Sequence, residues 1–181
     1  MKGRKRFTIA STLFVVLTVS ATKASAKSGQ PAAGDQARET LKEIQQSASK
    51  AADEADSLRR IADRYSLESQ YAELMALRDN VNRMVRDVSS LQAESGMAPW
   101  EKQATDKVEA LLVDTAKDTQ DAINYFNENK SNLWDQQYHG YVGGVYQGSE
   151  RIAATLKDYL KYAKARDQQE QLQESLKVTG E

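Results

Sequence analysis

The sequence predicts an all-α fold, an antiparallel up-down-up-down four-helix bundle that follows a cleaved signal peptide. After residue 26 the chain is dominated by Ala, Leu, Gln, Glu, Lys and Arg, which favour helix. Apolar residues in this region recur at alternating spacings of four and three, the pattern of helices packed lengthwise on one another. Short interruptions divide the pattern into four segments of about 25–35 residues, the length range of bundle helices.

Residues 1–26 have the three parts of a secretory signal peptide. Met1–Arg6 carries four positive side chains, Phe7–Ala21 is an apolar run, and Ala24–Ala26 forms a small-x-small cleavage site. An uncleaved membrane anchor is the alternative, but it needs roughly 20 apolar residues. This run is shorter and is interrupted by hydroxyl side chains. We therefore expect an exported protein, periplasmic or secreted, with no integral membrane segment after cleavage.

The remaining sequence is divided into a leader, one domain and a tail. Residues 27–34 (KSGQPAAG) are predicted to form a flexible leader, 35–176 the helical bundle and 177–181 a disordered tail. The signal contains five of the 25 Lys and Arg residues and none of the 26 Asp and Glu, leaving 20 cations, 26 acids and a net charge of −6. This acidic balance argues against nucleic acid or anionic lipid as a partner, since both require a basic face.

The chain contains no cysteine. Disulfides, thiolate nucleophiles, zinc–thiolate sites, iron–sulfur clusters and covalently attached haem are therefore excluded. A lipid anchor on cysteine is excluded for the same reason.

The first helix is predicted to begin at Asp35, a residue type that suits an N-cap. Its apolar seam consists of Ala37, Leu41, Ile44, Ala48, Ala51, Ala55, Leu58, Ala62 and Tyr65. A second seam consists of Leu67, Tyr71, Leu74, Leu77, Val81, Met84, Val88 and Leu91. The second seam is out of phase with the first, so we expect a turn within 63–66, with Ser66 capping the next helix. One continuous helix with a local stutter is the alternative.

The third helix follows the clearest break in the chain. Gly96 suits a helix C-cap, and Pro99 suits the first turn of the next helix. The third seam consists of Trp100, Ala104, Val108, Leu111, Leu112, Ala116, Ile123 and Phe126. Thr115, Asp118 and Thr119 lie near its inward face, so the middle of this helix is polar where it meets the core.

The last helix is predicted to start within Leu133–Gln136. Its seam consists of Tyr138, Val142, Val145, Ser149, Ile152, Leu156, Tyr159 and Ala163. Beyond Lys164 the sequence is almost wholly polar, and we expect an exposed or fraying end.

The sequence carries no recognisable catalytic, cofactor or metal motif. His139 is the only histidine, whereas carboxylate-bridged di-iron bundles need two. No nucleophile elbow surrounds any serine. The carboxylate pairs Glu39/Glu43 and Asp114/Asp118 are one helical turn apart, a spacing that is routine on solvated faces. We expect no enzyme activity, no cofactor and no metal site.

The unusual segment runs from Tyr138 to Gly148. Gly140, Gly144 and Gly148 recur at every fourth residue, and Gly143 lies between them. Four glycines inside a helix cost about 2–4 kcal/mol relative to alanine. The stripe either lets a neighbouring helix approach closely or leaves a recess for a flat ligand or a partner's side chain. We favour close packing or a distorted helix start. The recess, if present, consists of Tyr138, Gly140, Tyr141, Gly144, Tyr146 and Gly148.

Several short motifs are shared with a known group of proteins. They are Ser66-Leu67-Glu68-Ser69, Asp79-Asn80-Val81-Asn82, Ala98-Pro99-Trp100, Ala122-Ile123-Asn124 with Asn127-Glu128-Asn129, and Tyr138-x-x-Tyr141-Val142. With these motifs the chain resembles a family of exported bacterial all-helical proteins that have no assigned activity. The glycines at 143, 144 and 148 depart from that pattern, where larger helix formers are expected. The resemblance implies the bundle and the export route, and it implies no function.

These observations favour a non-enzymatic structural or interaction module of the bacterial cell envelope. Its expected partner is an envelope protein or a second copy of the chain. The alternative is a small-molecule-binding, sensor-like periplasmic bundle, for which the glycine–tyrosine segment is the only candidate site.

Overall fold

A computed structural model describes residues 33–61, 66–130, 133 and 135–178 of the chain. It contains four helices, α1 (Ala33–Ile61), α2 (Leu67–Ala93), α3 (Pro99–Glu128) and α4 (Gln136–Val178). No strand occurs in these ranges, which confirms the predicted all-α helical bundle. The predicted signal peptide, nearly all of the leader and residues 179–181 lie outside the described residues.

The four helices surround one apolar core. Helix α1 packs against α2 and α4, and α3 packs against the same two helices. Across the middle, α1 and α3 touch only slightly, and α2 and α4 do not pack against each other. Each helix therefore has two main neighbours and one outer face.

The predicted seams account for most of this core. The seven seam residues of α1 from Ala37 to Leu58 are all buried, whereas Ala62 and Tyr65 lie outside the described residues. The prediction was wrong for Leu67 and Tyr71, which are 46% and 45% exposed. The buried face of α2 instead begins at Gln70 and continues through Leu74.

The break between α1 and α2 lies where the change of phase predicted it. Ser66 has an extended backbone (ψ 152°), and its Oγ accepts a hydrogen bond from the Ser69 backbone N–H at 3.2 Å. Ser66 is therefore the N-cap of α2, and the alternative of one continuous helix is wrong. Residues 62–65 lie outside the described part of the chain.

The connection from α2 to α3 differs from the prediction in its cap. The C-cap of α2 is Glu94, and Gly96 follows it with φ 104°, a left-handed conformation that favours glycine. Pro99 is in the first turn of α3, as predicted. The buried Glu101 carboxylate accepts a hydrogen bond from the Ala98 N–H at 2.7 Å. This is half of a capping box, because the Ala98 side chain has no acceptor to complete it.

Helix α4 has 43 residues and is the longest of the four. Arg38, near the start of α1, forms an ion pair with Asp167 at 2.5 Å. Residues 168–177 are all exposed, although they remain helical. The polar end of the chain is thus a projecting helix as far as Val178. None of the described helices is long and apolar enough to cross a membrane.

Candidate functional site

Two glycines of the predicted stripe lie directly against side chains of α3. A β-carbon added to Gly144 would overlap the Asp118 carboxylate and lie 2.7 Å from its Cγ. A β-carbon added to Gly148 would overlap the Thr115 hydroxyl and lie 3.2 Å from the Thr115 Cβ. The space directly above both glycines is therefore occupied by side chains of α3, although both glycines also line an open groove between α3 and α4.

The threonines of α3 are held in place by their own helix. Thr115 Oγ1 donates a hydrogen bond to the Leu111 carbonyl at 2.9 Å, and Thr119 Oγ1 donates to the Thr115 carbonyl at 2.7 Å. Both residues are buried. The polar middle of the third seam thus enters the core with its hydroxyl groups satisfied by backbone carbonyls.

The other two glycines of the segment have more space. A β-carbon at Gly140 would have no neighbour within 4 Å, and one at Gly143 would meet only Arg59 Nε at 3.9 Å. Close packing therefore explains Gly144 and Gly148 but explains neither Gly140 nor Gly143.

Tyr138 and Tyr141 share Tyr125 as a ring neighbour, with the Tyr141 ring centre 6.4 Å from that of Tyr125, whereas Tyr146 contacts a different helix. Tyr138 is 1% exposed, and its ring lies 6.0 Å from that of Tyr125. The Tyr141 hydroxyl accepts a hydrogen bond from Gln137 Nε2 at 2.8 Å. Tyr146 lies beneath the Arg59 guanidinium of α1, which is 5.5 Å from the ring centre.

The six candidate residues are thus not brought together in one recess. Gly144 and Gly148 face α3, Tyr146 contacts α1, and Tyr138 is in the core. Ligand binding by this segment remains a prediction.

Burial has a strong effect on Tyr138. Together with a smaller contribution from the Glu73 carboxylate, burial raises the pKa of the phenol to about 12. No described residue forms a hydrogen bond with the hydroxyl. Tyr138 is therefore a neutral core residue at physiological pH.

A polar groove of about 420 Å³ lies beside the glycine stripe. Its α3 wall includes Asp114, Lys117 and Asp118, and its α4 wall includes Gln147 and Arg151. Partial burial raises the pKa of Asp118, with smaller contributions from the Asp121 and Asp114 carboxylates, whereas Lys117 acts in the opposite direction. We call this feature the polar groove. Sequence reasoning noted its two aspartates but missed Gln147 and Arg151, because only the pairing of α3 with α4 brings them together.

His139 is half-buried on the first turn of α4, where its ring packs edge-on against Tyr138 at 6.3 Å. Within the described ranges, no three His, Asp or Glu side chains are grouped so that they could hold a metal ion. The geometry therefore identifies no candidate ligand set for a metal.

The chain was compared with protein-family models, with curated proteins and with solved structures, and none of the three comparisons gave a match. The resemblance to exported helical proteins therefore rests on the short motifs alone.

Proposed function

We propose that this protein is an exported, non-enzymatic helical bundle that serves as an interaction module of the bacterial cell envelope. The proposal includes signal cleavage after Ala26 and an antiparallel up-down-up-down order of the helices. It also includes membership of the family of exported helical proteins that the short motifs suggest.

Pairs of contacts support the antiparallel order. Between α1 and α4, Arg38 pairs with Asp167 and Arg59 contacts Tyr146, so residue numbers rise along one helix and fall along the other. Between α3 and α4 the same holds for Lys107 with Tyr159 and for Asp118 with Gly144. Between α2 and α3, Tyr71 contacts Phe126, and Val85 shares a groove with Val113.

The projecting end of α4 is the observation that carries the proposal. Leu172 and Leu176 are one helical turn apart and are 65% and 71% exposed. Burying a leucine stabilises a contact by about 1.5–3 kcal/mol. A helix that extends past its bundle with two leucines on one side offers a docking edge for another protein.

Two leucines set a limit on the strength of that contact. A stable interface buries about 800 Å² on each partner, far more than two side chains provide. We therefore expect a weak or multi-part contact, in which the α4 end is one element of a larger envelope assembly.

Site-specific photo-crosslinking in intact cells tests the proposal. A photoreactive amino acid is placed at Leu172 of the full-length precursor, and in a matched control at Glu174, on the opposite side of the same turn. We expect crosslinks to an envelope protein or to a second copy from position 172 and far fewer from 174. Equal or absent crosslinking at both positions, together with a strictly monomeric purified protein, would contradict the proposal. N-terminal sequencing of the same material tests cleavage after Ala26.

A small-molecule-binding bundle is the second candidate function. The polar groove supports it, because the Asp118 carboxylate, which forms no hydrogen bond or ion pair with any described residue, and the guanidinium of Arg151 line the same space. A groove with both charges suits a zwitterionic metabolite better than a simple ion. Thermal shifts with amino acids and small peptides test this candidate, which requires stabilisation that Asp118→Asn and Arg151→Gln each abolish.

A further inference from the structure

A second groove, of about 550 Å³, lies between the start of α3 and the later part of α4. Three aromatic residues line it, Trp100, Tyr159 and Tyr162. Four polar residues, Gln103, Lys107, Thr155 and Asp158, share the lining with them. We call this feature the aromatic groove. It shares no lining residue with the polar groove.

Two of the three rings are already fixed by neighbours. Trp100 is 5% exposed, and the Arg38 guanidinium lies 5.6 Å from its ring centre. Lys107 Nζ lies 5.5 Å from the ring centre of Tyr159. Such cation–π contacts hold the rings in place without covering the whole groove.

Tyr162 is different, because it is 57% exposed. Within the described part of the chain it has no ring or cation contact. Tyr162 is therefore a groove-lining aromatic ring that is open to solvent. Exposed apolar surface rimmed by polar residues marks interaction sites and ligand-binding grooves.

The polar residues of the groove have unused hydrogen-bonding capacity. Gln103 and Asp158 form no hydrogen bond or ion pair with any other described residue. Among the described residues, Lys107 has one such contact, with the Tyr159 ring. The groove therefore presents an ammonium donor, a carboxylate acceptor and an amide that does both.

We propose that the aromatic groove binds a glycan. The faces of aromatic rings carry partial negative charge, and the apolar face of a pyranose presents C–H groups of partial positive charge, so a sugar ring can stack on Tyr162. Sugar hydroxyls both donate and accept, which matches Asp158, Lys107 and Gln103. Residues 155–162 of α4 span about 10 Å at the helical rise, enough for a short oligosaccharide.

Other occupants fit this groove less well. A proline-rich peptide offers carbonyl acceptors but few N–H donors, so the Asp158 carboxylate would gain nothing from it. An apolar helix would cover four polar side chains, each at a cost of about 1–3 kcal/mol if left unpaired. A simple anion is repelled by Asp158, and a simple cation is repelled by Lys107.

This inference goes beyond the proposed function and does not depend on it. Glycan binding uses α3 and the middle of α4, whereas the proposed protein contact uses Leu172 and Leu176. A chain that loses one property can keep the other, so the two proposals fail separately.

Calorimetric titration and NMR of the purified protein test the inference, with the trimer of N-acetylglucosamine and with cellotriose as probes. We expect saturable binding of at least one probe at millimolar concentration. Tyr162→Ala should weaken it at least tenfold, Asp158→Asn should weaken it several-fold, and Tyr162→Phe should change it little, since the ring face is kept.

Tyr71→Ala is the matched control, because Tyr71 is an exposed tyrosine of α2 outside the groove. It should leave glycan affinity unchanged, and circular dichroism checks that every variant is folded. The inference is overturned if neither probe binds, if Tyr162→Ala binds as well as the parent, or if a proline-rich peptide binds instead in a Tyr162-dependent manner.

Discussion

The Thr115 side chain lies over Gly148 in the space that a β-carbon at position 148 would occupy. Thr115 is 1% exposed, its hydroxyl is bound to the Leu111 carbonyl, and β-branched side chains are stiff in helices. The threonine therefore cannot move aside easily. This contact fixes how closely α3 and α4 approach each other, and it gives the glycine stripe a specific energetic test.

Gly148→Ala should destabilise the fold by about 1–3 kcal/mol, the usual cost of overpacking. Gly140→Ala is the matched control, because its β-carbon would have no neighbour within 4 Å. Removing that glycine should stabilise the fold by about 0.5–1 kcal/mol through helix propensity. Urea unfolding measures both changes. Equal effects of the two substitutions would show that the Thr115 contact does not limit the packing.

The effect of Gly144→Ala on stability should lie between those of Gly148→Ala and Gly140→Ala. Its β-carbon would overlap the end of the Asp118 side chain, which is half-buried and can turn toward solvent. We expect the cost of moving the carboxylate and the gain in helix propensity to cancel within about 1 kcal/mol. The same urea experiment measures it, and a loss as large as that of Gly148→Ala would mean that Asp118 is held rigidly.

Asp118→Asn should stabilise the protein at neutral pH. Burial raises the folded-state pKa of Asp118, so its charged form destabilises the fold above that pKa. The penalty disappears as pH falls through the folded-state pKa toward the unfolded value. The charged groups that act on Asp118 are Lys117, Asp121 and Asp114 on α3, and Arg151 on α4 lines the same groove.

The pH dependence is checked by the melting temperatures of the parent and of Asp118→Asn, measured from pH 7 down to acid. In acid the side chain at position 118 is neutral in both proteins. The difference should be largest at neutral pH and should vanish in acid. A difference that grows toward acid would contradict the raised pKa.

The Arg38–Asp167 pair should show the opposite pH dependence. The Arg38 guanidinium lowers the pKa of Asp167, with two hydrogen bonds at 2.5 and 3.2 Å. This contribution is present above the unfolded pKa of the carboxyl and is lost as pH falls through its folded pKa. A double-mutant cycle with Arg38→Gln and Asp167→Asn should give a coupling of about 0.5–1 kcal/mol at neutral pH. The exposed pair Lys42–Glu39 serves as control and should give less.

The helices and most of their buried faces could be predicted from the sequence, because a seam is a local property of one helix. The residues from Ala37 to Leu58 show this, as does the Ser66 cap. Leu67 was misassigned since apolar spacing alone does not reveal where a neighbouring helix stops covering the surface. The register between neighbouring helices could not be predicted from the sequence for the same reason.

That register decides the candidate sites. Gly148 had a visible signal, but its partner Thr115 lies 33 residues earlier on another helix. The aromatic groove joins Trp100, which the sequence places on the third seam, with Tyr162, which lies on no predicted seam. A site whose residues come from different helices leaves no regular spacing in the sequence by which it could be recognised.

The hydroxyl of Tyr138 gives the last prediction. It is buried, and no described residue forms a hydrogen bond with it. Burying a hydroxyl without a partner costs about 1–3 kcal/mol, so Tyr138→Phe should leave stability unchanged or raise it by up to about 2 kcal/mol. Tyr141→Phe is the control, because it removes a hydroxyl that accepts a hydrogen bond from Gln137, and it should be neutral or slightly destabilising. Urea unfolding measures the stability of both variants. A Tyr138→Phe protein that is less stable than Tyr141→Phe would show that the Tyr138 hydroxyl has a stabilising partner.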